Sequence, residues 1–227
     1  MNKSEFDYLE RPKQFSENDF WRQVRRTING EPVSEEQIAM IENQIIKLLQ
    51  LSKNDNLLDI GCGNGALTTR LKKYVHASKG IDQSDYLIDI ATKYFKNENE
   101  VYEKASLKDF ISVENAFGFN KCLLYGVSSF LNDETLQNLI YWFFNQKGTN
   151  NCLFIGNIRD KSLSKHFYSD VVSEDELDDT GSSMGKWRSK AWFEEISHNA
   201  SLKLTITKMP ASFYAHKYYF DVVLESL

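Results

Sequence analysis

Cysteine is scarce in this chain of 227 residues, which contains three, at positions 62, 122 and 152. An odd count without a close pair predicts neither a disulfide framework nor a zinc-binding pattern. Cys122 and Cys152 lie in apolar, strand-like runs and are interpreted as core residues, whereas Cys62 is a small residue within a glycine-rich turn. We therefore expect a cytoplasmic protein whose site holds no metal ion.

Long apolar runs are also missing, and so is an excess of positive charge. No stretch approaches the roughly 18 consecutive apolar residues of a membrane-spanning helix. Residues 1–5 lead into no apolar segment of the kind found in a signal peptide. Lys and Arg total 27 against 32 Asp and Glu, which gives a formal net charge of -5. The sequence thus predicts no membrane span, and its charge disfavours nucleic acid as a partner.

The most informative segment, residues 57–65, reads LLDIGCGNG. A short apolar run ends in Asp59, and Gly61, Gly63 and Gly65 follow at alternate positions. The residues that come next have helical spacing, so the pattern predicts a strand, a tight turn and a helix. Glycines permit positive φ and remove the Cβ atoms that would keep a ligand away from the main chain. The N–H groups at the start of the following helix would add donors, so we predict a site for a large polar ligand.

An acid ends the next predicted strand, residues 75–82. Asp82 lies about 20 residues beyond the glycines, where a nucleotide-binding βαβ unit places the carboxylate that binds ribose. A carboxylate suits this role because it can accept two hydrogen bonds side by side. The ligand is therefore expected to contain a nucleoside.

Two ligand classes fit this combination. Residues 61–66 satisfy the loose G-x-G-x-x-G/A pattern of dinucleotide sites. The segment from Asp59 to Gly65 also resembles the glycine motif of the class I S-adenosylmethionine-dependent methyltransferases, with an acid before the first glycine, a G-x-G-x-G core and a ribose acid after the next strand. This resemblance implies S-adenosyl-L-methionine as the cofactor and S-adenosyl-L-homocysteine as its product. An NAD-linked oxidoreductase and a non-catalytic protein of the same fold are the alternatives.

The resemblance also implies which residues contact the cofactor. They lie in the glycine turn and just after the next three predicted strands: Asp59, Gly61, Cys62, Gly63, Asn64, Gly65, Asp82, Gln83, Leu87, Ala105, Ser106, Leu107 and Tyr125. Ser106 stands at the adenine edge, where many relatives have an Asp. Tyr125 is expected to orient the substrate or to close over the methionine moiety.

Strand-like and helical segments alternate through residues 55–158, which predicts a parallel sheet with right-handed crossovers. Residues 202–207 and 218–224 suggest a C-terminal hairpin that completes the sheet. The predicted fold is Rossmann-like, doubly wound α/β, with a mostly parallel seven-stranded sheet and an antiparallel C-terminal strand, which resembles the methyltransferase fold. Ser34 and Gln37 are expected to form a capping box at the start of a helix beside the first strand.

The chain is divided here into a cap and one domain. Residues 1–33 are rich in aromatic side chains and arginines and are predicted to form an N-terminal lid, followed by a single methyltransferase domain over residues 34–227. A turn is predicted at residues 148–150, before the last parallel strand. Residues 159–187, after that strand, interrupt the alternation and are interpreted as an insertion or substrate loop. The expected substrate or lid contacts are Trp21, Arg25, Arg26 and Tyr168.

Methyl transfer is an in-line displacement in which the protein supplies orientation and, for some acceptors, a base. The catalytic candidates are His166, His216 and Tyr125, and Tyr214 is expected beside His216 in the acceptor pocket. After the fourth predicted strand there is no Asn/Asp-Pro-Pro-aromatic motif, which disfavours methylation of base amines or glutamine amides. The prediction is a methyltransferase that acts on a small molecule or a glycan precursor.

Overall fold

The computed structural model describes residues 8–113, 118–145, 150–168 and 172–227. The first seven residues of the predicted lid, positions 148 and 149 of the predicted turn, and residues 169–171 of the predicted substrate loop lie outside this set. The N-terminal segment contains a 3₁₀ turn (Arg11–Gln14), helix α1 (Phe20–Gln23) and a small antiparallel ribbon of β1 (Thr27–Ile28) and β2 (Glu31–Pro32).

The remaining elements alternate along the chain as the sequence pattern indicates. The helices are α2 (Glu35–Leu49), α3 (Thr68–Leu71), α4 (Asp85–Tyr94), α5 (Leu107–Ser112), α6 (Asp133–Phe144), α7 (Ser164–Phe167), α8 (Glu174–Asp178) and α9 (Lys190–Asn199). The strands are β3 (Asn56–Ile60), β4 (Ala77–Asp82), β5 (Glu100–Lys104), β6 (Lys121–Tyr125), β7 (Cys152–Arg159), β8 (Leu202–Thr207) and β9 (Tyr219–Ser226). Among the described residues, no helix is both long and apolar enough to cross a membrane.

Strands β3 to β9 form one sheet of seven strands in the order β5-β4-β3-β6-β7-β9-β8. The pairs among β3, β4, β5, β6 and β7 are parallel, and β9 runs antiparallel between β7 and β8. The predicted fold class is confirmed, including the antiparallel C-terminal strand.

Helices cover both faces of the sheet because successive strand residues point to opposite sides. Leu57 and Leu123 are fully buried in a cluster that contains the apolar stripe of α2. Their neighbours Leu58 and Leu124 are buried in a second cluster with apolar residues of α6 and α9. These paired faces explain why the strands of this sheet read as nearly continuous apolar runs.

The order of the strands places a crevice at the centre of the sheet. From β3 the chain proceeds to β4 and β5 on one side, and then returns to β6 and β7 on the other. Loops that leave the carboxyl ends of β3 and β6 therefore diverge, and open α/β sheets bind ligands at this point. The glycine turn that follows β3 lies at the crevice.

The helix predicted after the glycine turn is present but short, and the capping box predicted at α2 does not form. The helix after the glycine turn, α3, has only four residues and continues as a 3₁₀ turn, so it offers no extended helix dipole to the site. At the start of α2, Ser34 accepts a hydrogen bond from the backbone N–H of Gln37, but the Gln37 side chain does not return it. That side chain instead donates to Ser212 O at 3.0 Å and accepts from Tyr214 N at 2.9 Å, which fastens α2 to the segment before β9.

Candidate functional site

The glycine turn is built for close backbone approach. Gly61 and Gly63 have φ of +69° and +57°, and a Cβ at Gly61 would lie 2.4 Å from Val127 Cγ2. A Cβ at Gly63 would lie 2.8 Å from Val24 Cγ1 in the N-terminal segment. The backbone N–H groups of Gly61 and Cys62 both donate to Ile81 O of β4, which fixes the turn beside the end of that strand. Larger side chains are excluded here by both conformation and space.

Asp82 stands at the carboxyl end of β4 with its carboxylate directed at this turn. One oxygen accepts from Gly63 N at 3.0 Å and the other from Ser84 N at 2.9 Å. Burial raises the pKa of Asp82, and these backbone hydrogen bonds act in the opposite direction. A carboxylate has about four acceptor positions, so each oxygen of Asp82 can accept a further hydrogen bond.

Asp59, the acid before the first glycine, is completely enclosed. Its Oδ2 accepts from Thr68 Oγ1 at 2.5 Å. Burial raises the pKa of Asp59 to about 7. The negative charge of Asp82 raises this pKa further, whereas the hydrogen bond from Thr68 and the positive charge of Arg26 lower it. The carboxyl group thus braces the base of the turn through α3 and faces the same cavity as Asp82.

One cavity of about 470 Å³ lies over the carboxyl ends of β3, β4, β6 and β7. This volume is within the range of small-molecule sites in proteins, about 300–1,000 Å³. The structure brings these predicted cofactor residues together in its wall: Asp59, Gly61, Cys62, Gly63, Asn64, Asp82, Gln83, Leu87, Ala105, Leu107 and Tyr125.

Two of the predicted cofactor residues do not line the cavity. Gly65 packs against the ring of Tyr102, where a Cβ would lie 2.7 Å from the ring atoms. Ser106 is the N-cap of α5: its hydroxyl accepts from Asp109 N at 3.1 Å and donates to Asp109 Oδ2 at 2.6 Å. The Ser-x-x-Asp spacing of a helix N-terminus was readable in the sequence and indicates this capping role.

Asn64 fastens the N-terminal segment to the glycine turn. Its side-chain nitrogen donates to Phe20 O at 2.8 Å and to Gln23 Oε1 at 2.7 Å, and its oxygen accepts from Ala66 N at 3.2 Å. Gln23 is also buried and donates to Ser16 O at 2.8 Å. The amide of Asn64 is therefore occupied by protein contacts, although the residue lies in the cavity wall.

The predicted lid residues Trp21, Arg25 and Arg26 all line the cavity. The guanidinium of Arg26 lies 4.5 Å from the centre of the Tyr125 ring and donates to Tyr125 O at 3.2 Å. Arg25, at φ +58°, donates to Ser183 O at 2.9 Å. The N-terminal segment and the segment after β7 thus meet over the cavity.

The structure does not bring the two histidines or Tyr168 into this cavity. His166 is exposed on α7, and its backbone oxygen accepts from Tyr218. His216 lines a smaller neighbouring cavity behind Tyr125. Tyr168 packs against Phe167 and Trp187. Of the predicted catalytic residues, only Tyr125 reaches the main cavity, where its buried hydroxyl has no hydrogen-bond partner among the described residues and burial raises its pKa well above the ordinary value.

Several wall residues were not identified from the sequence. They come from the N-terminal segment, the 3₁₀ turn after β6, the end of β7, the segment before α9 and the start of β9: Tyr8, Arg11, Phe130, Asn157, Arg159, Met184 and Tyr219. Tyr214, which was expected in the acceptor pocket, lines the cavity as well. The position of Arg159 at the carboxyl end of a central parallel strand was the one available signal.

Comparison with known proteins agrees with this architecture. A family model described as ribosomal RNA adenine dimethylase matches residues 39–184. A probable cobalt-precorrin-6B C(15)-methyltransferase (decarboxylating) of Methanococcus maripaludis strain C5 is 30% identical over 115 residues, which are 49% of this chain and 59% of that protein. The protein of the same description from Methanococcus vannielii is 28% identical over 134 residues, 55% of this chain and 68% of its own length. The match to the first of these relatives therefore spans less than two thirds of it.

Solved structures share the fold at low sequence identity. The N-methyltransferase NodS from Bradyrhizobium japonicum WM9, in complex with S-adenosyl-L-homocysteine, has a TM-score of 0.62 at 15% identity, with 96% of each chain covered. A SAM-dependent methyltransferase from Archaeoglobus fulgidus has a TM-score of 0.63 at 12% identity, covering 92% of this chain and 100% of that one. Since the family model spans more than half of the sequence, the chain belongs to the ribosomal RNA adenine dimethylase family of class I S-adenosylmethionine-dependent methyltransferases.

Proposed function

We propose that this protein transfers a methyl group from S-adenosyl-L-methionine to a small molecule that binds in the same cavity, beneath the N-terminal segment. The observation that carries the proposal is the composition of the cavity wall. One end is lined by the glycine turn and Asp82, and the other by side chains from the N-terminal segment, the end of β7 and the segment before β9. A cofactor and an acceptor would thus share one enclosed space.

The residues at the first end fit the cofactor. Asp82 lies in the cavity wall as a hydrogen-bond acceptor for the ribose, and Gly61 and Gly63 hold the positive φ that shapes the turn beside it. Leu87 and Leu107 supply apolar surface for the adenine. We assign Arg26 to the methionine carboxylate, because its guanidinium lies over the end of β6 and close enough to Asp59 to influence its charge.

The cofactor supplies a methyl group that is already activated on a sulfonium, so the protein contributes orientation and the exclusion of water. Tyr125 is buried beneath Arg26, and we assign it a positioning role at the floor of the cavity. Burial raises the pKa of its hydroxyl, which makes deprotonation to an active base unfavourable. His166 and His216 remain catalytic candidates only if the acceptor or a rearrangement reaches them.

We further propose the division of the chain that the sequence indicates. Residues 1–33 act as the lid, residues 34–227 as a single methyltransferase domain, and residues 159–187 as the loop that faces the substrate. In support, Arg25 in the lid donates to Ser183 O in that loop, and Met184 lines the cavity. Both segments therefore contribute to the roof.

Small molecules and glycan precursors remain the preferred acceptors, and the names of the cobalt-precorrin relatives favour a small one. The description of the family model raises RNA as a second candidate. The acidic net charge of -5 and the roof formed by the N-terminal segment favour a compact acceptor over a polynucleotide. The comparisons lend no support to the NAD-linked alternative.

Calorimetric titration tests the cofactor assignment. Wild type should bind S-adenosyl-L-homocysteine saturably and NAD not at all, and Asp82→Ala should weaken binding by at least about tenfold because the ribose loses a charged acceptor. Asp89→Ala is the matched control, since Asp89 is an exposed acid on α4. Affinity for S-adenosyl-L-homocysteine that is equal in wild type and a folded Asp82→Ala protein would contradict the assignment.

Transfer of labelled methyl to small molecules, glycan precursors and RNA then identifies the acceptor class, and no transfer to any of them would favour a non-catalytic role.

A further inference from the structure

Three arginines line the cavity in addition to Arg26. Arg11 reaches it from the 3₁₀ turn, Arg25 from the residues after α1, and Arg159 from the last position of β7. In the sheet, β7 is separated from the strand of Asp82 by β3 and β6. Three inter-strand spacings correspond to about 14 Å, so Arg159 faces a different part of the bound molecules from the ribose site.

The three arginines surround one hydroxyl group. Arg25 donates to Tyr8 Oη at 3.4 Å. Burial raises the pKa of Tyr8, while the positive charges of Arg25, Arg159 and Arg11 act in the opposite direction. Burial and the charge of Arg25 both lower the pKa of Arg11, which shows that like charges are held close together. Such a cluster is electrostatically unfavourable unless an anion enters it.

Arg11 and Arg159 lack a carboxylate partner among the described residues. Neither makes an ion pair with any carboxylate in the part of the chain that the structure describes; Arg11 donates to Arg22 O, and Arg159 lies 5.6 Å from the centre of the Tyr219 ring. Moreover, Nε of Arg159 is buried and has no hydrogen-bond partner among the described residues. A guanidinium presents several donors in a planar fork that matches the oxygens of a carboxylate or phosphate.

We propose that the methyl acceptor carries an oxyanion group, a carboxylate or a phosphate, which Arg11 and Arg159 bind at the β7 end of the cavity. This inference rests on the proposed function, because it assumes that the acceptor occupies the space beyond the cofactor. Tyr8 and Arg25 lie beside the anion, and Arg26 is left for the methionine carboxylate. A chain with a net charge of -5 thereby places several arginines in the wall of this cavity.

The test uses inorganic phosphate and acetate as probes of the full-length protein saturated with S-adenosyl-L-homocysteine. Each is titrated calorimetrically at constant ionic strength into wild type, Arg159→Gln, Arg11→Gln and the charge-conserving Arg159→Lys. At least one anion should bind wild type, and each Gln variant should lose about tenfold or more in affinity for it, with partial recovery in Arg159→Lys. Preference for phosphate or for acetate then identifies the oxyanion. Lys53→Gln, which removes an exposed charge from the turn before β3, should change nothing.

The outcomes separate this inference from the proposed function. Failure of wild type to bind S-adenosyl-L-homocysteine would reject the proposed function itself. Normal binding of that cofactor product with no binding of either anion, or with anion binding that survives both Gln substitutions, would overturn the oxyanion site. Equal losses of cofactor-product and anion affinity in Arg159→Gln would also overturn it, because the arginines would then bind the methionine carboxylate. An RNA oligonucleotide that binds wild type and loses affinity in both Gln variants would replace the small acceptor with a polynucleotide.

Discussion

The hydrogen bonds from Asn64 predict that the N-terminal segment controls retention of the cofactor. Asn64→Ala removes the hydrogen-bond donor to Gln23 Oε1. It also removes the shorter of the two hydrogen bonds to Phe20 O, and Phe20 O then accepts only from the N–H of Val24, at 3.4 Å. Gln23 and Asn64 are 2% and 1% exposed, so water cannot readily replace the lost donor. A buried acceptor left without a partner costs about 1–3 kcal/mol. At about 2 kcal/mol, the ratio of closed to open segment should fall roughly 30-fold.

Binding of S-adenosyl-L-homocysteine provides the assay. Its dissociation rate in Asn64→Ala should rise by up to about 30-fold, since most changes in affinity appear in the dissociation rate. Hydrogen exchange at the amides of Arg26 and Val33, which hydrogen-bond to Trp21 O and Arg26 O, should accelerate in the same variant. Asn18→Ala, at an exposed position in the same segment, is the control and should leave both readouts unchanged.

A double-mutant cycle distinguishes this role from direct contact between Asn64 and the cofactor. Gln23→Ala should also open the segment, and the double variant should lose less than the sum of the two single variants, because both substitutions break the hydrogen bond between Asn64 and Gln23. Asn64→Asp keeps the acceptor for Ala66 N but loses both donors, so it should open the segment at least as far as Asn64→Ala. Additive losses, or an effect of Asn64→Ala with none of Gln23→Ala, would refute the reasoning.

Three further predictions concern the base and the edges of the site. The pKa of Asp59 rises from 3.8 to about 7 on folding, so the folded state binds the extra proton and stability without cofactor should fall as pH rises from about 4 to 7. Denaturant midpoints at pH 5 and pH 8 should therefore lie closer together in Asp59→Asn than in wild type, and equal pH dependence in both would contradict the burial argument. Ser106→Ala should lower the free energy of unfolding by about 1 kcal/mol, because α5 loses its N-cap, and should leave the affinity for S-adenosyl-L-homocysteine unchanged. A loss of that affinity would instead assign Ser106 to the adenine site. Gly61→Ala should destabilise the fold, because φ at this position is +69° and the added Cβ would clash with Val127. Adding Val127→Ala should relieve the clash but not the backbone strain. Full recovery of the free energy of unfolding in the double variant would show that the positive φ of Gly61 is unimportant.

The cofactor half of the cavity was predictable because its signals are local in sequence. The glycines, Asp59 and Asp82 lie within one strand-turn-helix-strand unit, and the physical requirements for that unit fall on residue types that the sequence shows directly. The strands around it were recognisable as apolar runs, since both faces of the sheet are covered by helices. Topology followed from the handedness of the crossovers.

The sequence was ambiguous where two roles share one sequence pattern. Ser106 follows a strand at the position of an adenine contact, yet the same residue begins a helix, and the backbone N–H of Asp109 takes its hydroxyl. Gln37 has the spacing of a capping-box partner, but tertiary contacts with Ser212 and Tyr214 occupy its amide. His166 follows a central strand, but the short helix α7 buries Ser164 and leaves His166 exposed. In these cases, sequence spacing alone does not determine which of the possible contacts the side chain forms in the folded protein.

The part of the cavity proposed for the acceptor was predictable only in part, because the N-terminal segment contributes much of it. Arg11 and Arg25 come from that segment, whereas Arg159 lies more than a hundred positions away along the chain, at the end of β7. The same segment places Val24 over Gly63 and Arg26 over Tyr125, so a cofactor cannot reach the glycine turn along that side while the segment is closed. In the proposed mechanism, the movement that admits the cofactor therefore also dismantles the anion site, and closure rebuilds both. The hydrogen bonds of Asn64 join a cofactor motif that sequence reveals to an acceptor site that only the folded chain contains.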